Sequence, residues 1–310
     1  MGAMTKIFVD GSAGTTGLRI HERLSGRDGI ELITLPDEVR KDADARRDAI
    51  TAADIAFLCL PDQAAKEAVA LAEGTDTVII DTSTAHRTNP AWAYGFPELT
   101  GFREKIAASK RIANPGCHAS GFVSLVAPLK EAGIIAHSQH LTCFSLTGYS
   151  GGGKKMIAEY EDAQRSELLD APRMYGLTQS HKHIPEMSKY CGLYYDPIFC
   201  PIVADYYAGM EVTVPLFASE IKGGIDDIRE VYRDYYKTGL VQFKDEADES
   251  GFTAANTLAG KDNMEISVFG NADRILLVSR FDNLGKGASG AAIQNMNIVL
   301  GLDEATGLNI

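Results

Sequence analysis

The chain has 310 residues, 45% apolar and 23% charged, which is enough for two domains at roughly 150 residues each and excludes a disordered, collagen-like or disulfide-scaffold protein. Thirty basic against 42 acidic side chains leave a net charge of −12, which repels phosphate backbones and anionic lipid and so excludes a general nucleic-acid or membrane surface. An anionic ligand has to be held locally, by backbone amides or a few placed cations.

The first elements alternate between two periods. KIFVD (6–10) is a short apolar strand, followed by a glycine-rich turn and an amphipathic stretch from Thr15. IELITL (30–35), a polar helix over 42–53 and DIAFLCLPD (54–62) come next; the Ala-rich helix QAAKEAVALAEG then leads into TVIIDTSTA (77–85). Continuous apolar strands separated by helices predict right-handed βαβ crossovers and a parallel sheet buried on both faces. From about residue 140 the strands lengthen, at 139–148, 209–219, 264–271 and 274–283. Several alternate, as in Met210-Glu211-Val212-Thr213-Val214, which predicts a mainly antiparallel sheet with one wetter face. That wetter face is suited to self-association. Helices are predicted at about 153–168 and 225–238, and a last one, rich in small residues, over 285–301. The fold class is α/β: a Rossmann-type doubly wound parallel sheet plus an α+β domain with a mainly antiparallel sheet, divided near 114–118.

Met1-Gly2-Ala3 reads as an addition before a natural start at Met4, and MGAMTKIFVD has neither a cationic nor an apolar region of a secretory signal. No apolar run approaches the ~20 residues that span a bilayer. Five cysteines form no CxxC pair and lie mostly in apolar runs, as reduced thiols of a cytoplasmic protein do.

Four segments carry chemistry. Gly11-Ser12-Ala13-Gly14-Thr15-Thr16-Gly17 follows a strand and opens a helix, the context in which glycines admit a diphosphate to free helix N–H groups. The acidic ribose hook expected about 20 residues on is not clear. Arg40 and Lys41 stand near that position instead, which favours a 2′-phosphate and hence NADP. In Asn114-Pro115-Gly116-Cys117-His118, the thiol sits at the start of an apolar helix, where dipole and amides stabilise thiolate. No other cysteine has that setting. His118 lies so close to the turn that it is expected to project away from the thiol. His181-Lys182-His183-Ile184-Pro185-Glu186 offers two imidazoles in a polar loop; a metal site is disfavoured because no acid or thiolate falls at a familiar ligand spacing. Gly148 to Lys155 is a second glycine-rich loop, not a P-loop but a fair anion nest with two lysines.

GSAGTTG, FLCLPD (57–62), IDTSTAHR (80–87), YGFPEL (94–99), ANPGCHASG (113–121), SLTGYSGGGK (145–154), HKHIPE and DNLGKGASGAAIQNMN (282–297), in this order, resemble the short form of the N-acetyl-gamma-glutamyl-phosphate reductase family. The last segment also resembles the aspartate-semialdehyde dehydrogenases, a sister family of the same architecture. The resemblance implies reversible, NADPH-dependent reduction of an acyl phosphate to an aldehyde plus phosphate, through a thioester on Cys117, in arginine biosynthesis. It implies an acid/base histidine, placed at His183 with His181 in reserve, and a cofactor contact at Asn283. Gly151, Gly152, Lys154, Arg87 and His181 are the candidate phosphate or substrate contacts. The resemblance further implies a discontinuous dinucleotide-binding domain, 1–116 with about 286–310, around a catalytic and dimerisation domain at 117–285. The enzyme is expected to be a homodimer or homotetramer. Where long-form relatives carry LSADFR this chain reads DTSTAHR, which leaves the roles of Asp81, Ser83 and Arg87 open.

Three other readings remain open. The same chemistry on a different acyl phosphate, as in aspartate-semialdehyde dehydrogenase, is separated by a two-substrate assay. A Cys/His hydrolase or acyltransferase would turn over without nicotinamide. A dinucleotide-sensing regulator would leave Cys117 inert to alkylation.

Overall fold

The computed structural model describes residues 4–310, so Met1-Gly2-Ala3 lies outside the described residues. The chain forms two compact units, one up to Pro115 together with Ala288–Leu308, the other Gly116–Gly287 with the last two residues.

The first unit is built on β1 (Thr5–Asp10), α1 (Thr15–Leu24), β2 (Ile30–Ile33), α2 (Ala43–Ala52), β3 (Ile55–Leu58), α3 (Asp62–Leu71), β4 (Val78–Asp81), β5 (Ala93–Tyr94), α4 (Phe102–Ala108) and β6 (Arg111–Ala113). Every strand pair is parallel, in the order β2-β1-β3-β4-β6-β5. Alternate residues of β1 feed two different cores. Ile7 and Val9 pack with Ile20, Leu24, Ile293 and Met296, whereas Phe8 packs with Ala49, Ile50 and Ala68. Each such side chain contributes about 1.5–3 kcal/mol by leaving water, and the doubled burial explains why the strands read as unbroken apolar runs.

The second unit contains α5 (Cys117–Glu131), β7 (Thr142–Gly148), α6 (Gly153–Glu161), β8 (Arg173–Met174), α7 (Ile184–Tyr190), β9 (Ile198–Ala204), β10 (Met210–Phe217), α8 (Ile225–Tyr235), β11 (Val241–Phe243), β12 (Met264–Gly270) and β13 (Arg274–Phe281). Its sheet runs β11-β12-β13-β10-β7-β9-β8, antiparallel except for the β11–β12 and β7–β9 pairs. Helix α5 covers one face. Pro128 inside α5 has no N–H for the Ser124 carbonyl, and the Tyr236 hydroxyl just after α8 donates there instead, at 2.7 Å. Phe144, Ile198, Phe217 and Leu276, on β7, β9, β10 and β13, are exposed. The final helix, α9 (Gly290–Val299), belongs to the first unit, where Ile293 and Met296 complete its core.

The short elements β5, α4, β6, β8 and β11 have no counterpart in the sequence expectation, and three further elements depart from it. The helix read over 153–168 stops at Glu161. Strand β9 is missed because Pro201 interrupts its apolar run. HKHIPE is not a loop throughout: His183 caps α7, whose first turn accepts Pro185 because the missing N–H there has no intrahelical partner.

Candidate active site

The first unit carries the dinucleotide cradle. Gly11 takes φ +87°, and a Cβ on it would collide with the Cys59 carbonyl, so the turn is open to glycine alone. The Gly14 amide closes the turn on the Gly11 carbonyl at 3.0 Å, and α1 begins with no side-chain cap. The N–H groups of Thr15, Thr16 and Gly17 therefore open α1 beside the backbone of Ser12 and Ala13, the donor set that a diphosphate needs. Next to it lies a cavity of about 230 Å³ lined by Gly11, Ser12, Thr34, Asp37, Arg40 and Lys41 among others. Asp10, at the end of β1, is turned to Arg46 Nε at 2.9 Å. Burial outweighs that cation and holds its carboxyl above the ordinary range. Arg40 and Lys41 bring two cations to this lining, where Asp37 also stands and pairs with Arg40 Nε at 3.4 Å.

Also in the first unit, Arg87 is buried and donates from Nε to the Asn114 carbonyl and from Nη2 to that of Thr82, both at 2.9 Å. Its clearest contacts thus hold the backbone just ahead of the cysteine turn. Asn114 is clamped as well: Asn295 of α9 donates to its Oδ1 at 3.1 Å, and its own Nδ2 donates to the Ala288 carbonyl. Asp81 accepts from Ser83 and His86, and His86 stacks on Trp92 at 4.1 Å, so DTSTAHR forms a buried buttress at the end of β4.

The thiol site lies in the second unit. Cys117 is the first residue of α5, with Gly116 as its cap. Glu186 of α7, itself buried, accepts the Gly116 N–H at 3.0 Å and ties the histidine segment to the cysteine turn. Gly287 closes the other side: a Cβ there would stand 2.9 Å from that of Cys117. Donor atoms of Cys117, His118 and His183 all lie within 4.8 Å of one another.

His118 departs from expectation, since it does not turn away from the sulfur. Its ring sits 5.3 Å from that of His183, yet both its nitrogens are engaged elsewhere, Nδ1 with Ser145 Oγ at 2.6 Å and Nε2 with Tyr175 OH at 2.8 Å. Burial, reinforced by His181 and Lys182, pulls its pKa down to about 3. His181 packs edge-on to His183 at 4.9 Å, and its Nδ1 accepts the His183 backbone N–H at 3.3 Å. Burial and then Lys182 lower its pKa too.

One thiol and two imidazoles also make a metal donor set. Donors around a tetrahedral zinc stand only about 3.5 Å apart, given bonds of about 2.0–2.3 Å, and His118 has no uncommitted nitrogen. The cluster fits nucleophile chemistry better.

The glycine loop after β7 is pinned by backbone bonds from Tyr149 N to the Tyr206 carbonyl and from Ser150 N to that of Tyr207. Asn283 braces it, donating to Ser150 Oγ at 3.0 Å and accepting the Gly209 N–H at 2.9 Å. Gly151, Gly152 and Lys154 are exposed at the start of α6. Glu186, Tyr175, Ser145 and Gly287 were missed from sequence. Glu186 alone left a signal, as an acid directly after Pro185 in the histidine motif.

The chain matches the family models for the semialdehyde dehydrogenase NAD-binding domain over residues 17–109 and the semialdehyde dehydrogenase dimerisation domain over 117–283. N-acetyl-gamma-glutamyl-phosphate reductases of Brucella suis and Brucella canis are 48% and 47% identical to it over 306 residues, covering 96% of this chain and 99% of theirs. The chain belongs to the N-acetyl-gamma-glutamyl-phosphate reductase family. Among solved structures it resembles aspartate semialdehyde dehydrogenase II from Vibrio cholerae (TM-score 0.73, 16% identity, 97% of this chain and 99% of that one). It also resembles the aspartate semialdehyde dehydrogenase with NADP from Candida albicans (TM-score 0.65, 15% identity, 96% and 99%). Those likenesses support the two-sheet fold, and the chain is an oxidoreductase of that architecture.

Proposed function

We propose that the enzyme reduces N-acetyl-gamma-glutamyl phosphate to N-acetylglutamate semialdehyde and phosphate with NADPH, through a thioester on Cys117. The observation that carries this reading is the convergence of Cys117 and His183 at the start of α5, in a member of this reductase family. The Gly11–Gly17 cradle holds the diphosphate, with Arg40 and Lys41 beside the 2′-phosphate. NADPH, when bound, supplies the hydride that the thioester carbon accepts.

The chain's own groups do the rest. His183 takes the proton of Cys117, and the thiolate attacks the acyl carbon as the phosphate oxygen leaves with its electron pair. The amides opening α5 oppose the negative charge on the carbonyl oxygen. His183 returns its proton to that oxygen after reduction and recovers it as the aldehyde forms and thiolate departs. His181 supports His183 through its backbone. Lys154 and the Gly151–Gly152 turn meet the phosphate, while Arg87 and Asn283 hold backbone around the reacting groups.

The exposed apolar residues of the second sheet, Phe144, Ile198, Phe217 and Leu276, pack against a second copy, giving a homodimer that sedimentation tests. Among the described residues no helix is long and apolar enough to cross a membrane. The five free cysteines support a cytoplasmic enzyme, where thiols stay reduced.

The test runs the reaction backwards, with phosphate, each oxidised cofactor, and either N-acetylglutamate semialdehyde or aspartate semialdehyde. Phosphate-dependent NADP reduction is expected with the first aldehyde only, with the KM for phosphate raised in Lys154→Glu. Preference for aspartate semialdehyde, or turnover without phosphate, overturns the reading.

A further inference from the structure

Cys117 has a wall behind it that the steps above do not use. After β13 the chain enters a π-helical turn (Gly285–Ser289), with glycine at 285 and again at 287. Such wide turns are rare and gather at functional sites. Neither glycine has room for a side chain. A Cβ on Gly285 would collide with the Lys261 carbonyl, and one on Gly287 would stand 2.9 Å from the Cys117 Cβ. The turn thus touches the 260–262 segment at one glycine and the nucleophile at the other.

Asp282 holds this turn in place. It is fully buried, and its backbone carbonyl accepts the N–H of Gly285 at 3.1 Å and that of Gly287 at 2.9 Å. The second is the five-residue bond that makes a turn π-helical. The side chain takes two further backbone donors, Leu284 N on Oδ1 at 2.7 Å and Gly260 N on Oδ2 at 2.6 Å. Gly260 is gripped from its other end by Asn309, whose Nδ2 donates to the Gly260 carbonyl at 2.8 Å. Asn309 is itself fixed by its backbone: its N–H donates to Asp262 Oδ2 at 2.8 Å, and its carbonyl accepts the Asp262 N–H at 2.6 Å. An unbroken run of contacts leads from exposed Asn309 through Gly260 and Asp282 to the glycine that packs on Cys117.

We propose that Asp282 is a positioning residue for the nucleophile: it holds Gly287 on the Cys117 Cβ, so that the sulfur keeps the rotamer aimed at the acyl carbon. Asn309 braces it from outside. The device governs where the sulfur stands, whereas the helix terminus and His183 govern its charge. The inference rests on Cys117 being the nucleophile.

The experiment joins hydrogen exchange of the 282–287 segment to reverse-reaction kinetics, run with whichever semialdehyde the wild type prefers. Asp282→Ala is expected to speed exchange of the Gly285 and Gly287 amides at least about tenfold, and Asn309→Ala about fivefold. In Asp282→Ala kcat is expected to fall about 10²-fold, and in Asn309→Ala about threefold, with the KM values for phosphate and NADP little changed. Asp282→Asn keeps one acceptor oxygen and should recover part of the loss. Gly287→Ala leaves Asp282 intact and should reproduce the fall, and the double variant should go no lower. Gly287→Ala and Asn309→Ala alter no charge, so the pH midpoint for alkylation of Cys117 by iodoacetamide should stay where it is in both. Unchanged exchange in Asp282→Asn and Asn309→Ala overturns the brace. An unchanged kcat in Gly287→Ala, or a moved alkylation midpoint, overturns the aiming of the sulfur. If Asp282→Ala does not fold, the other three single variants decide the matter. Failure of the acyl-phosphate reading would show as wild-type turnover without phosphate and leaves the exchange readout intact; failure of the brace leaves the wild-type substrate preference intact.

Discussion

The chain builds the same local structure twice, a parallel strand running through a glycine turn into a helix N-terminus, and uses it for opposite purposes. At the start of α1 the turn is smooth, uncapped and open beside a cavity, because the negative charge it serves arrives on a ligand. At the start of α5 the turn is closed in by Glu186, Gly287 and the histidines, because the charge it serves is made there, on Cys117. A helix terminus alone offers roughly 0.3–1 kcal/mol to a nearby anion at an exposed site. That suffices for a diphosphate spread over several amides. A reactive thiolate needs more, and side chains supply it.

Removing the sulfur separates the two termini most sharply. Cys117→Ser should lose at least about 10⁴-fold in turnover, while the α1 cradle still binds NADPH, as cofactor fluorescence would register. Loss of both would mean that the cradle and the thiol are not independent. Next in size is Glu186→Ala, which frees the Gly116 amide and lets the cysteine turn relax. A displacement of about 1 Å at a nucleophile can cost about 10²-fold, so kcat should fall by that order with KM little changed. Glu186→Gln, which keeps an acceptor oxygen, should recover most of it, and a fall in KM alone would remove Glu186 from this role. At the other terminus, Arg40→Ala with Lys41→Ala should raise the KM for NADPH about tenfold, near 1.4 kcal/mol. The KM for NADH should stay where it is, and equal changes for both cofactors would place the 2′-phosphate elsewhere.

The α1 terminus was legible in the sequence because its chemistry is backbone chemistry. Glycine spacing after an apolar strand specifies the turn, and the two cations stand near the expected place of a ribose hook. The α5 terminus was legible only at Cys117 and in the histidine motif, whose residues are few and reactive. Its supports are ordinary residue types made special by burial and convergence across long sequence separations. Ser145 lies on β7, Tyr175 beside β8, Glu186 in α7 and Gly287 beyond β13; nothing in their neighbours announces it. The expectation that His118 points away failed for the same reason. It rested on local geometry, whereas Ser145 on β7 and Tyr175 just after β8 hold the ring in place.

The weakest effect bears on stability and again divides the termini, since the α1 cradle contains no buried histidine among the described residues. His118 titrates at about 3 when folded and near 6.5 when unfolded. Between those values the unfolded chain binds a proton that the native chain refuses, so stability rises with pH there and falls as the solution is acidified below about 6.5. Full uptake of one proton corresponds to about 1.4 kcal/mol per pH unit. Denaturant unfolding at pH 7 and pH 5 measures the slope, and His118→Gln should flatten it by about 1 kcal/mol per unit, below the full value because the unfolded imidazole is only part-protonated near pH 7. An unchanged slope would mean that the imidazole takes up its proton without unfolding, by opening towards water.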